Sequence, residues 1–595
     1  MKKLLDWIEA RCGLAAATQT CRGRMIPGRA CVSRAWPCLF VFAFCVQAIT
    51  GFFLWAYYSP GAMSAWESVY HLQYEVTGGW LLRAVHHYSA HATLAAAMLY
   101  LLQMIFLAEY RAPRELVFWL GMGVGLCALA AIITGDLLYW DQNGYTSTKV
   151  RVGFLNLLPG IGAKMLPLAT GGGDFGHLTL TRFFALHVGV FGGGLLAVAL
   201  LHAWLCRRAD DCELPAAEVK TPWWPNQAAC GALACLGFMA IVLLLACQHG
   251  TSGDHRGVAH GSPADPAASY DAARPEWMLV GVYQLAHWYP GIVSIFVLPG
   301  VVVAIGLAMP WLAKRPAGHR FNMAFTVALL GAVGWLSWYC WAHDAGNPQH
   351  QAAIAAEREQ ADRTRELARG QGIPPTGALT LLRHDAKTQG PRLFKQHCAS
   401  CHDYATADAD GQRQGIVAEK SSAPNLYGFA SRAWLGGLLD AKRIVGPDYF
   451  GNTKFKNGEM AGQVKDWWKE AETDGTVADL QKELAQAAAA VSAEAQLKSQ
   501  REQDARDAAM IAAGRAIVGQ MCTDCHRFDK AKGAGAPDLT GYGSRAWTRA
   551  IICNPADKRF YGEKNDRMPA YDEILTPQEL DQIADWLRGE WFESM

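Results

Sequence analysis

Leu180-Thr-Arg-Phe-Phe-Ala-Leu-His187-Val-Gly-Val-Phe-Gly-Gly-Gly-Leu-Leu-Ala-Val-Ala-Leu-Leu-His202 decides the fold. It lies in an apolar run, 183–206, long enough to cross a bilayer, which takes ~20 residues. Two histidines interrupt it, fifteen residues apart, which is ~22 Å along a helix and roughly one face. Metal-binding and ionisable groups inside a span are costly and mark function. Two haems stacked through a ~30 Å core would need such a spacing, and a four-helix bundle offers the inward-facing positions. A second run carries His86, His87 and His91.

Working outward, seven runs can span: near 36–58, 84–108, 116–138, 183–206, 228–248, 291–313 and 321–343. Of the 595 residues, 51% are hydrophobic and only 18% charged, against roughly 25% charged in a soluble chain. That excludes a disordered chain and argues against a wholly soluble one. The net charge of +1 gives no support for nucleic-acid binding. Several of the 22 Trp end apolar runs, as membrane interfaces favour. Lys2, Lys3, Arg22, Arg24, Arg29, Arg34, Arg111, Arg114, Arg207, Arg208, Lys314, Arg315 and Arg320 cluster on one side, whereas the 59–79 loop has no Lys or Arg. The positive-inside rule then puts the N-terminus in the cytoplasm, and seven crossings put 344–595 outside. The 139–182 loop, with Lys149, Arg151 and Lys164, is the exception. Residues 1–34 lack the compact apolar core of a removable signal peptide.

Beyond Trp341 the chain turns polar and helix-prone. Four of its 17 cysteines form Cys398-Ala-Ser-Cys401-His402 and Cys522-Thr-Asp-Cys525-His526. This C-x-x-C-H spacing attaches a c-type haem: two thiols add to two vinyl groups and the adjacent His ligates iron. Zinc would want four soft ligands, and each site offers three. Between His402 and Met510 the only Met is Met460, and after His526 the only internal one is Met568. Thioether–imidazole ligation is a common c-haem pair. We therefore expect Met460 on the iron of His402 and Met568 on that of His526. Ser422–Trp434 and Gly535–Trp547 repeat one motif. These ends resemble class I cytochrome c domains, with a capped final helix from Thr576. The Ala/Glu/Gln/Lys-rich stretch between the copies reads as a solvated helical spacer.

The membrane half resembles the cytochrome b subunit of bc-type quinol oxidoreductases, especially the short form of the photosynthetic complex. The resemblance rests on Gln47-Ala-Ile-Thr-Gly51, Gly79-Trp-Leu-Leu-Arg83-Ala-Val-His86, Pro113-Arg-Glu-Leu116, Trp140-Asp-Gln142, Leu180–His187 and Pro275-Glu-Trp277. It implies His86 and His187 as the axial pair of an outer haem b. Gly51 and Gly135 would let that haem pack close, because they lack side chains, and Arg83 and Arg182 would face its propionates. It also implies an inner haem, whose ligand on the second span falls at Tyr100. His202 and Gly121 match that site; Pro37 replaces its other glycine. Three readings stay open: Tyr100 ligates iron, as Tyr does in some haem proteins; a haem binds through His202 alone; or none binds. His87 and His91 read as packed or loop-facing side chains, too near the outer side to replace Tyr100. A further covalent haem near Cys38 is a minor reading. Cys12, Cys21, Cys31, Cys45 and Cys127 read as apolar fillers.

Glu276 follows the fifth span. The resemblance makes it the acid that takes a proton from quinol, a role suited to a carboxyl near a dry pocket. Met278 stands where the family has Tyr, and Tyr145 is a candidate for the same pocket.

The expected fold class is mainly α: a transmembrane bundle of about seven spans, four haem-binding plus three, then two class I cytochrome c domains. We divide it into a cytoplasmic segment 1–34, a four-helix haem domain 35–225, a three-helix domain 226–343 with the quinol loop, a linker 344–390, cytochrome c domains 391–475 and 511–595, and a helical linker 476–510. The expected cofactors are one or two haem b, two covalent haem c and quinone/quinol. The resemblance implies a quinol:cytochrome c-type oxidoreductase subunit in a bacterial inner or cytoplasmic membrane, with periplasmic haem c domains. Its partners would be lipid, a separate Rieske iron–sulfur protein, a soluble or membrane-bound acceptor and a second copy. Two alternatives are a non-bifurcating quinol dehydrogenase with one haem b, and a membrane anchor for a dihaem cytochrome c.

Overall fold

The computed structural model describes residues 7, 9–11, 19, 22–408, 412–533, 535–565 and 567–593. Lys2, Lys3, Cys12 and Cys21 lie outside them. The chain runs through α1 (Trp36–Tyr57), α2 (Gly79–Phe106), α3 (Glu115–Tyr139), the short α4 (Gln142–Gly153) and α5 (Gly162–Thr170), α6 (His177–Ala216), α7 (Trp223–Ala246), the short α8 (Val280–Trp288), α9 (Ile292–Leu312) and α10 (Pro316–Gly346). All but the short three are long and apolar enough to cross a membrane, seven in total. They are hydrophobic all round, as a spanning helix must be, and leave Phe52, Leu99, Leu244 and Trp338 exposed on their outer faces.

Contacts close α1, α2, α3 and α6 into a ring, with α7 against α1 and α2. Phe40, Tyr100, Met104, Phe118, Val124 and Ala199 fill one end of its core. At the end of α6, Asp210 and Glu213 gather Arg114, at 2.8 and 2.7 Å, and Asp210 also meets Arg24 at 3.4 Å and Arg34 at 3.7 Å. Several arginines that give the sequence its charge asymmetry are thus ion-paired as well. Asp141 caps α4, accepting from Gly144 N at 2.8 Å.

The contacts divide the chain into two compact units, 1–365 with 373–379, and 366–372 with 380–595. The second unit is built on α11 (Ala386–His397), α12 (Arg432–Leu438), α13 (Glu459–Asp474), α14 (Val477–Glu494), α15 (Ala508–Met521), α16 (Arg545–Cys553) and α17 (Pro577–Leu587). The capped start expected at Thr576 is present: its hydroxyl and Glu579 bond reciprocally to the backbone.

The stretch read as a solvated spacer is instead core. In α14, Leu480, Leu484, the run Ala487–Val491 and Ser492 are buried, and α14 packs along α15. Composition misleads here because alanine reads as a neutral helix former, while its small side chain lets a second backbone come close. Gly514 of α15 uses that closeness: a Cβ there would strike the Gln486 carbonyl and lie 3.0 Å from the Ala490 methyl. Gly514→Leu should therefore destabilise this unit by about 1–3 kcal/mol. The readout is an earlier loss of Soret-region circular dichroism on heating.

Candidate functional site

The bundle encloses a cavity of about 480 Å³ whose lining includes Gly51, His86, His87, His91, Gly135, His187 and Glu276. Two histidines from opposite helices frame it, with ring centroids 6.2 Å apart. Each is held by its Nδ1: His86 by Thr50 Oγ1 at 2.9 Å, His187 by the Ala131 carbonyl at 2.9 Å. Fixing Nδ1 fixes the tautomer and leaves Nε2 to ligate. The glycines fit this reading. A Cβ at Gly51 would come within 3.2 Å of the His86 ring, and one at Gly135 within 2.9 Å of the His187 ring. The donor set therefore suits a bis-histidine haem. Arg83 lines the cavity, but its Nη atoms donate to Gln73 Oε1 at 3.2 Å, Val258 O at 2.9 Å and Ala259 O at 3.0 Å. Arg182 is not in the lining; it turns back to Leu178 O at 3.3 Å. Carbonyls of a distant loop thus hold Arg83, and the carbonyl one turn back holds Arg182.

Glu276 Oε2 approaches His91 Nε2 at 3.8 Å, and the indole N–H of Trp277 donates to His91 Nδ1 at 3.1 Å. That bond leaves the His91 proton on Nε2, facing the carboxylate. Burial, with the Asp136 carboxylate, pushes the Glu276 carboxyl up to about 7; Arg151 opposes this and Asp141 adds to it. His87 Nδ1 lies 3.0 Å from the Tyr139 hydroxyl. His87 and His91, read above as packed or loop-facing, thus share the cavity with Glu276. The signal for them is their spacing on α2: His87 and His91 are four apart and face one side. Tyr145 is buried against Trp140 and Phe175 and is not in the lining. Met278 packs near Leu94, Ala128 and Ile132.

The inner position looks different. Tyr100 Oη and His202 Nε2 are hydrogen-bonded at 2.8 Å, and both side chains are buried. Phe40 packs edge-on against each ring, 5.6 and 5.5 Å away, and Trp36 lies 5.7 Å from Tyr100. Gly121 makes room for the phenol, since a Cβ there would lie 2.5 Å from Tyr100 Cε1. Side chains fill the space between the two prospective ligands. Cys38 faces Cys235, with sulfurs 3.9 Å apart.

In the second unit both C-x-x-C-H segments follow directly on a helix: Cys398 ends α11 and Cys522 ends α15. His402 donates from Nδ1 to Pro424 O at 2.7 Å and His526 to Pro537 O at 2.7 Å. Equivalent prolines of the repeat thus orient both rings and free both Nε2 atoms. Burial lowers the pKa of both imidazoles, keeping them neutral as ligation requires. Burial pushes the Cys398 thiol up to about 12 and the Cys522 thiol to about 11. Met568 does not pack with Cys522, as its place in the sequence led us to expect. It belongs to the core around Leu393, Phe394 and Tyr571 that also contains Cys398. Met460 packs with Leu438, Leu439 and Ile444.

A membrane four-helix bundle with histidines paired across it, followed by two C-x-x-C-H units, defines a cytochrome b joined to c-type cytochromes. The cytochrome b(N-terminal)/b6/petB family matches residues 91–255, the cytochrome c family 388–482, and the cytochrome c oxidase, cbb3-type, subunit III family 509–587. Cytochrome b6 of Auxenochlorella protothecoides is 31% identical over 208 residues, 35% of this chain and 97% of that one; cytochrome b6 of Chlamydomonas reinhardtii is 30% identical over the same shares. The chain belongs to the cytochrome b/b6 family in its membrane half, and carries cytochrome c domains in its second. A solved structure titled "Hyperthermophilic respiratory Complex III" aligns with 60% of this chain and 98% of its own, at TM-score 0.48 and 22% identity. The protein is an integral membrane electron-transfer component with haem b and covalent haem c.

Proposed function

We propose that the chain is the quinol-oxidising subunit of a bc-type complex, with its own haem c carriers fused to it. One observation carries this: the His86–His187 pair and Glu276 line a single cavity. Bound there and at the two C-x-x-C-H sites, the haems supply one-electron carriers. The chain's residues do the rest. Glu276 accepts a hydroxyl proton from quinol, its raised pKa matching a base that works near neutrality. His91, 3.8 Å away, orients that carboxylate through its Nε2 proton. The apolar walls from Phe44, Phe52 and Leu195 keep water from competing. Oxidising quinol to quinone releases two protons and two electrons. One electron would go to a separate Rieske iron–sulfur protein, from which the fused domains pass it to a soluble or membrane-bound acceptor, and the other to the haem that His86 and His187 would hold. Counting seven crossings from a cytoplasmic N-terminus supports an outer position for those domains and for Glu276. The family resemblance supports a homodimer. Loss of quinol oxidation in Glu276→Gln, with haem content intact, tests the assignment.

A second reading concerns the other electron. The filled space between Tyr100 and His202 favours a chain with one haem b and linear flow over a bifurcating one. A pyridine haemochrome measurement on the purified chain should then give b to c as one to two. A ratio of two to two would reinstate the inner haem, and none to two would leave only the anchor.

A further inference from the structure

The second unit is not two beads in sequence order. In each copy of the repeat, an N-terminal helix leads into C-x-x-C-H and a later helix follows the methionine. The helices pair across copies. Helix α11, which leads to Cys398, packs on α17 at the end of the second copy; α15, which leads to Cys522, packs on α14 at the end of the first. Side chains say the same. Gly390 of α11 sits against the Trp586 indole of α17, and the Phe394 ring packs on it at a tilt with centroids 5.3 Å apart. Gly514 of α15 sits against Gln486 and Ala490 of α14. Tyr404, just past His402, lies 4.1 Å from Trp586.

The crossing falls within the repeated motif. Gly428 and Ala430 in the first copy, and Gly541 and Gly543 in the second, all have positive φ. A Cβ on Gly543 would run into the Ala430 methyl, so the two turns meet back to back. Phe429 stacks on Trp547 of the other copy at 6.1 Å. Each copy thus turns sharply through left-handed backbone at these equivalent positions.

The methionines follow the later helices. Met568 lies a few residues before α17 and shares a core with Cys398 and Ala399. Three residues on, the Tyr571 hydroxyl donates to His397 O at 2.6 Å, beside the first C-x-x-C-H. On the other lobe, Glu459, next to Met460, pairs with Lys564 at 3.6 Å, and Lys564 reaches Gly535 O, two residues from the carbonyl that holds His526. Phe455 stacks on Tyr561 at 5.7 Å.

We infer that axial ligation is crossed: Met568 serves the haem held by His402, and Met460 the haem held by His526. This rests on reading both methionines as axial ligands, and the test separates the two claims. In the full chain, a Cys398→Ala/Cys401→Ala background leaves only the His526 haem covalently attached. Its oxidised far-red sulfur-to-iron band is then followed after each methionine change. Crossed ligation predicts that Met568→Ala leaves the band and Met460→Ala abolishes it. The reverse result overturns the crossing. A band that survives both changes, or is missing before either, overturns the axial reading itself. If the background fails to mature, a photoreactive phenylalanine analogue at Trp586 of the otherwise native chain decides the crossing. Labelling of peptide 386–397 supports it, and labelling of 508–521 refutes it.

Discussion

Glu276→Gln should lower quinol oxidation by about 10²- to 10⁴-fold, the range contributed by a positioned general base. The amide keeps the shape of the side chain but cannot take a proton. Haem b and haem c contents should be unchanged, because Glu276 packs on no ligand and its neighbours His91 and Trp277 bond to each other without it. The pH profile carries a second signature. Burial holds the Glu276 carboxyl near about 7, so the base is consumed by protonation as pH falls below that value. In the parent chain kcat/KM should rise through neutrality and level off above it. The variant's residual rate should lack that limb. Turnover by Glu276→Gln close to the parent value, or an unaltered limb, would remove Glu276 from the proton path.

Much of this molecule is written plainly in its sequence, because bilayers and covalent haem attachment both impose strict local rules. The seven spans come from apolar length alone, and the C-x-x-C-H pairs from a spacing that the chemistry demands. Histidines within apolar runs stand out because a polar ring there is costly, while Gly51, Gly135 and the pairing of His86 with His187 are legible only through the family resemblance. What sequence order could not supply is contact between distant segments. Sequence order assigns Met568 to Cys522 and His526, whereas it shares a core with Cys398. The alanine face of α14 reads as bland because close approach needs only small side chains and a partner glycine, Gly514, that lies far along the chain. Arg83 shows the same limit, because the carbonyls that hold it belong to Val258 and Ala259, far along the chain.

The inner and outer histidines of α6 should respond in opposite ways to the same substitution. His187→Leu removes one of two ligands to the outer haem and leaves its Nδ1 partner, the Ala131 carbonyl, facing an empty volume. Protohaem should be lost completely, taking the haemochrome ratio from one to two down to none to two, and quinol oxidation should vanish with it. Both haem c groups should stay, since they are bound in the other unit. His202→Leu cuts the 2.8 Å bond to Tyr100 and leaves the buried phenol only the weakly bonding Cys206 thiol, at a cost of about 1–3 kcal/mol. Its haem b content should nonetheless equal that of the parent, because Tyr100 and Phe40 already pack on His202, with Trp36 behind Tyr100. Adding Tyr100→Phe should recover part of the stability, since it removes the poorly satisfied hydroxyl. Halving of protohaem in His202→Leu would mean that a second haem displaces the Tyr100 ring, and the electron path would then extend to the inner side of the bundle.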